Sequence, residues 1–180
     1  MSRSYSSEGI VLTSKSYGEA DRILVLYTKD HGRTSLIAKG VRRLKSRKRG
    51  HLEVFSHVKF QAAHGKSLDI ITEAEIINSF HELRKNLKKV SVAYYFMEVI
   101  GRTTRDGERN NQLYEHLLRN LRRLQKTKKL KELRRNYAIK SLEILGFWPR
   151  NKKINDPDQL IEELLERKLS SIRVGKKLQK

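Results

Sequence analysis

The chain has no cysteine, which excludes disulfides, thiolate zinc sites and cysteine nucleophiles. Aromatic residues are scarce at 7%, which argues for binding dominated by a ligand's backbone rather than by stacked rings. No apolar run approaches the roughly 18 residues needed to span a bilayer. The first residues, Met-Ser-Arg-Ser-Tyr-Ser-Ser-Glu, lack the apolar stretch of a secretory signal. Acids are outnumbered: 20 Asp and Glu stand against 40 Lys and Arg, for a formal charge of +20. That imbalance opposes compaction and favours polyanionic partners. The composition therefore predicts a soluble, intracellular, nucleic-acid-associated protein with no membrane partner. Its 180 residues allow one domain or two small ones, and 37% apolar content is enough for a core.

What is present falls into two textures that change near residue 80. Residues 1–80 hold six of the ten glycines and many β-branched side chains. Gly9-Ile10-Val11-Leu12-Thr13 is a β-prone run, and Arg22 to Thr28 is a second. Asp30-His31-Gly32 reads as a turn into a return strand, Thr34-Ser35-Leu36-Ile37-Ala38. Val58, Phe60 and Ala62 share one face of a further strand. Ile70, Thr72, Ala74 and Ile76 share one face of the next, with Glu73 and Glu75 opposite. About five short strands result, and closing them into a barrel removes exposed edges. A five-stranded Greek-key barrel of the OB type fits this count, and so does an SH3-like barrel.

Residues 81–180 read as helices. Val90, Tyr94, Met97 and Ile100 recur at helical spacing, as do Leu113, Leu117, Leu121 and Leu124. A polar loop with Gly107 separates them. A third helix carries Leu130, Leu133, Tyr137, Ser141 and Ile144, and Gly146 serves as its C-cap, with Pro149 preventing continuation. Asp156-Pro157-Asp158-Gln159 signals a helix start: Asp156 caps, Pro157 suits the first position, and Gln159 can bond back. Leu160, Ile161, Leu164, Leu165 and Leu169 predict one last helix, followed by a frayed basic tail from residue 173. The predicted class is α+β, with a barrel domain over residues 1–80 and a helical domain over 81–180.

Two basic segments stand out. Residues 39–49 contain Lys39, Arg42, Arg43, Lys45, Arg47, Lys48 and Arg49 with no acid between them. The segment lies between two predicted strands, so it is a barrel loop. Clustered cations there can follow a phosphate backbone without reading bases; a solvated connector is the plainer reading. Residues 119–135 carry Arg119, Arg122, Arg123, Lys126, Lys128, Lys129, Lys131, Arg134 and Arg135, with Glu132 the sole acid. The intervening leucines fill a buried stripe, so these cations are expected to project outwards and to receive a second strand or an acidic peptide. Among the rings, Tyr17, Tyr27, Phe55 and Phe60 are candidates for base stacking, with a core position expected for most. Trp148 reads as a packing anchor at a helix end.

Catalytic signals are weak. His31, His51, His57, His64, His81 and His116 lack the paired spacing of a zinc helix. No Gly-rich phosphate loop or Gly-x-Ser-x-Gly elbow occurs. Glu19, Asp21, Asp69, Glu73 and Glu75 are better read as local partners than as a metal cluster. The expectation is a protein that is not an enzyme and carries no cofactor or metal. Besides DNA handling, composition permits an RNA-binding OB module associated with the ribosome, or a metal-dependent nuclease with a basic face.

One set of residues is more specific. Gly9-Ile10-Val11-Leu12, Tyr17-Gly18-Glu19-Ala20-Asp21-Arg22-Ile23, Leu26-Tyr27-Thr28, His31-Gly32-Arg33 and Ala38-Lys39-Gly40-Val41-Arg42-Arg43 follow in an order and spacing that closely resembles the N-terminal region of the bacterial recombination mediator family RecO. Thr72-Glu73-Ala74-Glu75 resembles that family's last barrel strand, and Leu145-Gly146-Phe147-Trp148-Pro149 resembles a helix end farther along. The resemblance implies an OB barrel joined to a helical domain. It also implies binding of single- and double-stranded DNA and annealing of complementary strands. The partners it implies are the acidic, Phe-ended tail of single-strand-DNA-binding protein, RecR and, indirectly, the recombinase RecA. The implied location is cytoplasmic, at the nucleoid. Many members carry a four-cysteine zinc module after the Leu-Gly-Phe-Trp-Pro-like segment. Here residues 150–155 stand in its place, and the C-terminal part is expected to be reduced.

Overall fold

A computed structural model describes residues 3–46, 48 and 50–177. It divides into two compact units: residues 1–79 with 104–110, and residues 80–103 with 111–180.

The first unit is a closed barrel of five strands in the order β1-β2-β3-β5-β4: β1 (Ser4–Tyr17), β2 (Asp21–Thr28), β3 (Gly32–Ala38), β4 (His57–Ala63) and β5 (Asp69–Asn78). β1 is long enough to serve two neighbours. Its first half pairs with β4 and its second half with β2, with an irregularity between Val11 and Thr13. The parallel pairing of β3 with β5 is a crossover that an up-and-down or SH3-like arrangement lacks, so the barrel is of the OB type. Alternating side chains fill it: Leu24, Leu26, Leu36, Val58, Phe60 and Ala62 are buried together.

Along β5 the buried face is not the one that simple alternation from Ile70 through Thr72 predicts. Gln61 pairs with Glu73 but Ala62 pairs with Ile71, so Thr72 is an extra residue in a bulge. A bulge reverses the alternation. Ile71 enters the core, whereas Ile70 is only half-buried and Thr72 is exposed.

Residues 104–110 belong to the barrel unit. The N–H of Gly107 donates to the Arg33 carbonyl at 2.9 Å, and the Arg33 guanidinium pairs with Asp106 at 2.7 Å. Gly32 permits this approach, because a Cβ there would lie 2.2 Å from the Glu108 carbonyl oxygen.

The second unit contains α1 (His81–Arg84), α2 (Leu87–Thr103), α3 (Asn111–Lys126), α4 (Leu130–Ile144), α5 (Pro157–Leu164) and α6 (Ser170–Lys177). The leucine stripe of α3 is buried as its spacing predicts. The α2 stripe is rotated from the expected one. Tyr94 is exposed and Val90 half-buried, while Val92, Tyr95, Phe96 and Val99 are buried. Residues 90–100 are apolar at most positions, so period alone does not choose a face; packing against α3, α4 and α6 does. Phe96 and Tyr137 form the centre, with ring centroids 4.0 Å apart.

Helix ends follow local chemistry. Gly146 N–H bonds to the Glu143 carbonyl and Phe147 N–H to Leu142, the two bonds of a Schellman stop. The Asp156 carboxylate accepts the N–H groups of Asp158 and Gln159, with Pro157 at the first turn. The Gln159 side chain instead donates to Glu163. The expected single last helix is two. Glu166 N–H bonds to Glu163 and Arg167 N–H to Glu162, while Glu166 takes a positive φ of 50° without being glycine. Leu169 is then buried outside α5. Residues 173–177, expected as frayed tail, are part of α6. Its first N–H groups, at Ser170 and Ser171, donate to the Glu98 carboxylate at 2.9 and 2.8 Å.

Candidate nucleic-acid interface

The barrel loop after β3 is a built structure. Gly40 turns it with φ +63°, a conformation that glycine adopts freely. Its N–H donates to the Asp21 carboxylate at 2.7 Å. Arg42 then binds the β1–β2 turn twice, by its N–H to Ala20 O at 2.9 Å and by its guanidinium to Gly18 O at 3.2 Å. Val41 and Leu52 sink into the barrel core. Farther along, the Lys48 ammonium donates to the carbonyls of Ile71 and Thr72 at 3.0 and 3.3 Å, at the bulge in β5. His51 Nδ1 lies 3.0 Å from Ala74 O, the geometry of an N–H donating to a carbonyl.

These anchors sort the seven cations read from the sequence. Lys39, Arg42, Arg43 and Lys45 are exposed, and among the described residues no carboxylate lies within ion-pair distance of them. Lys48 is committed to backbone carbonyls and is half-buried. Arg47 and Arg49 lie outside the described residues.

The helical cations also divide. Arg119, Arg122, Arg123 and Lys126 are exposed on α3, opposite buried Leu117, Leu121 and Leu124. Arg134 departs from the expected outward projection. Its guanidinium pairs with Asp158 and lies 4.5 Å above the Tyr95 ring. Tyr95 itself donates to Asp158 at 2.5 Å, and burial, followed by the Asp158 charge, pushes its phenol far above the usual range. Arg135 donates to the carbonyls of Asn155 and Ile154 at 2.9 and 2.5 Å. Both arginines thus fasten the segment that starts α5. The physical reason is supply: a start motif rich in Asp, preceded by the accepting carbonyls of Ile154 and Asn155, attracts the nearest guanidinium groups.

Sequence reasoning missed a groove of about 1010 Å³ in the helical unit. Lys88, Lys128, Lys129 and Lys131 border it, with Val92 and Ile172 supplying apolar surface. It is assembled from four separate elements, so no local pattern announces it. Of the four candidate rings, Tyr27, Phe55 and Phe60 are buried and only Tyr17 is exposed. Trp148 donates through Nε1 to Lys152 O at 3.1 Å, closing the turn after α4. Among the described residues no group of three or more His, Asp or Glu side chains could hold a metal ion. No helix among them is long and apolar enough to cross a membrane.

Residues 1–80 match the family model described as Recombination protein O N terminal, and residues 84–153 match Recombination protein O C terminal. The chain belongs to the recombination protein O family. Among curated relatives, a protein of Rubrobacter xylanophilus is 40% identical over 147 residues, covering 81% of this chain and 59% of that protein. One from Alkaliphilus metalliredigens is 35% identical over 144 residues, covering 79% and 58%. One from Roseiflexus sp. is 33% identical over 148 residues, covering 82% and 52%. All three are named DNA repair protein RecO. The chain spans little more than half the length of these relatives.

Proposed function

We propose that this chain acts in DNA repair as a recombination mediator that binds single- and double-stranded DNA and brings complementary strands together. The observation that carries the reading is the anchored β3–β4 loop, which presents Lys39, Arg42, Arg43 and Lys45 with no carboxylate partner among the described residues. The membership of the family and the names of the relatives support it.

The mechanism is electrostatic. Two DNA strands repel through their phosphates, and a chain of charge +20 lowers that repulsion enough for bases to pair. The barrel loop tracks one backbone. The α3 face, with Arg119, Arg122, Arg123 and Lys126, holds a second strand or the acidic tail of single-strand-DNA-binding protein. The groove of the helical unit, bordered by Lys88, Lys128, Lys129 and Lys131 and partly apolar inside, suits a peptide that ends in carboxylates and a ring. With RecR, the chain then helps replace the single-strand-binding protein by RecA. No covalent bond is made or broken in this scheme.

The test is annealing of complementary DNA strands coated with single-strand-binding protein, in parallel with retention of structured RNA and incubation of labelled DNA with magnesium or manganese. Annealing is expected, with charge reversal of Arg42, Arg43 and Lys45 weakening DNA binding. Charge reversal of Arg119, Arg122 and Arg123 is expected to weaken tail capture. Selective retention of RNA, or cleavage of the labelled DNA, overturns the reading. Equal loss of both activities in both variants overturns the division of labour.

A further inference from the structure

We propose that Tyr17 and Leu44 form a nucleobase-contacting patch, through which the barrel loop holds single-stranded DNA by its bases as well as its phosphates. This rests on the DNA-binding reading above and adds which part of the ligand is recognised. Among the described residues of the barrel unit, three large apolar side chains are exposed: Tyr17 at 54%, Leu44 at 87% and Ile77 at 45%.

The first two stand on segments fastened to each other. Tyr17 ends β1, and Leu44 follows Arg42 and Arg43 in the loop. The two bonds from Arg42 to the β1–β2 turn, and the Gly40–Asp21 bond beside them, hold these segments side by side. None of those bonds uses the Tyr17 or Leu44 side chain, so both remain available.

A singly exposed apolar residue needs no explanation. The company of this pair is what matters. Leu44 sits between Arg43 and Lys45, which have no carboxylate partner among the described residues. The acids of the β1–β2 turn are Glu19, which is exposed, and Asp21, which is engaged by Gly40. A ring and an alkyl group set among unpaired cations complement a chain that alternates anionic groups with flat apolar ones. Single-stranded DNA is such a ligand, because its bases have free faces. In a duplex those faces are covered by neighbouring bases, leaving only phosphates for the loop. Tyr17 and Leu44 therefore contribute to single-strand affinity and not to duplex affinity.

The experiment uses the full chain and three probes at one salt concentration: a thymidine oligomer, an abasic deoxyribose-phosphate oligomer of equal length, and a duplex. Binding is read by anisotropy. The wild type is expected to prefer the thymidine oligomer to the abasic one. Tyr17→Ala is expected to weaken thymidine-oligomer binding about tenfold, and Leu44→Ser by a smaller factor. Duplex affinity stays as it was, and Tyr17→Phe keeps the wild-type preference. Urea unfolding is expected to be unchanged, because both side chains are exposed. A wild type that does not distinguish thymidine from abasic oligomers overturns the patch and leaves DNA binding standing. So do variants that lose all three probes equally, or none. A wild type that binds no probe in dilute buffer overturns both readings.

Discussion

The carboxylate of Asp21 accepts the backbone N–H of Gly40 at 2.7 Å, joining the start of β2 to the turn that follows β3. Both residues belong to the sequence stretch that carries the family resemblance, and the bond explains why they occur together. Asp21→Ala removes a charge-assisted hydrogen bond and is expected to cost about 2 kcal/mol of stability. Urea unfolding measures this. DNA affinity is expected to fall as well, because the loop loses one of its fixed ends. Asp21→Asn, which keeps an acceptor oxygen, is expected to lose less of both.

Lys45 and Lys48 are the same residue type in the same loop, but they do different things. Lys48→Ala strips a donor from the Ile71 and Thr72 carbonyls and is expected to lower stability by about 1 kcal/mol. Lys45→Ala is expected to change stability by no more than about 0.5 kcal/mol. If Lys45 contacts a phosphate, its removal reduces the slope of log affinity against log salt by about 0.7 to 0.9. Paired denaturation and salt titrations of the two variants test the distinction.

Arg134, Asp158 and Tyr95 act as a unit. The ion pair is about one-quarter exposed, at 28% and 25%, so it lies between the surface and buried limits. Arg134→Ala leaves Asp158 without its counter-charge and is expected to cost about 2 kcal/mol. Thermal unfolding of Arg134→Ala, Tyr95→Phe and the double variant checks the coupling. Strictly additive losses would contradict a shared network.

His116 makes stability depend on pH. Burial holds its imidazole below the ordinary range, and the charges of Arg119 and Lys140 push the same way, against the Tyr137 carbonyl. Nε2 faces that carbonyl at 3.2 Å, and Nδ1 faces the Asn120 amide nitrogen at 3.2 Å. The neutral tautomer satisfies both contacts, whereas a proton on Nδ1 would meet another donor. The unfolded chain therefore binds the proton more readily. The contribution of His116 is complete above about pH 6.5 and declines as pH falls towards the lower folded value. Urea unfolding between neutral and mildly acidic pH is expected to show this decline, and His116→Gln to remove it.

The sequence determined much of this protein through local rules. Alternation marked the strands, leucine spacing marked α3, and Gly146 and Asp156 marked helix ends, because each signal acts within a few residues. The same holds for the crowding of cations in residues 39–49. Tertiary structure decided what those rules leave open. It placed the Thr72 bulge, which shifts one strand against another, and the stop at Glu166, which no glycine signals. It chose the buried face of α2, whose apolar residues surround the helix too fully for period to select one side. It also separated Lys48, Arg134 and Arg135, held by carbonyls and Asp158, from Lys39, Arg43 and Lys45, left to solvent. Charge is a property of each residue, but its availability depends on acceptors brought near from distant parts of the chain.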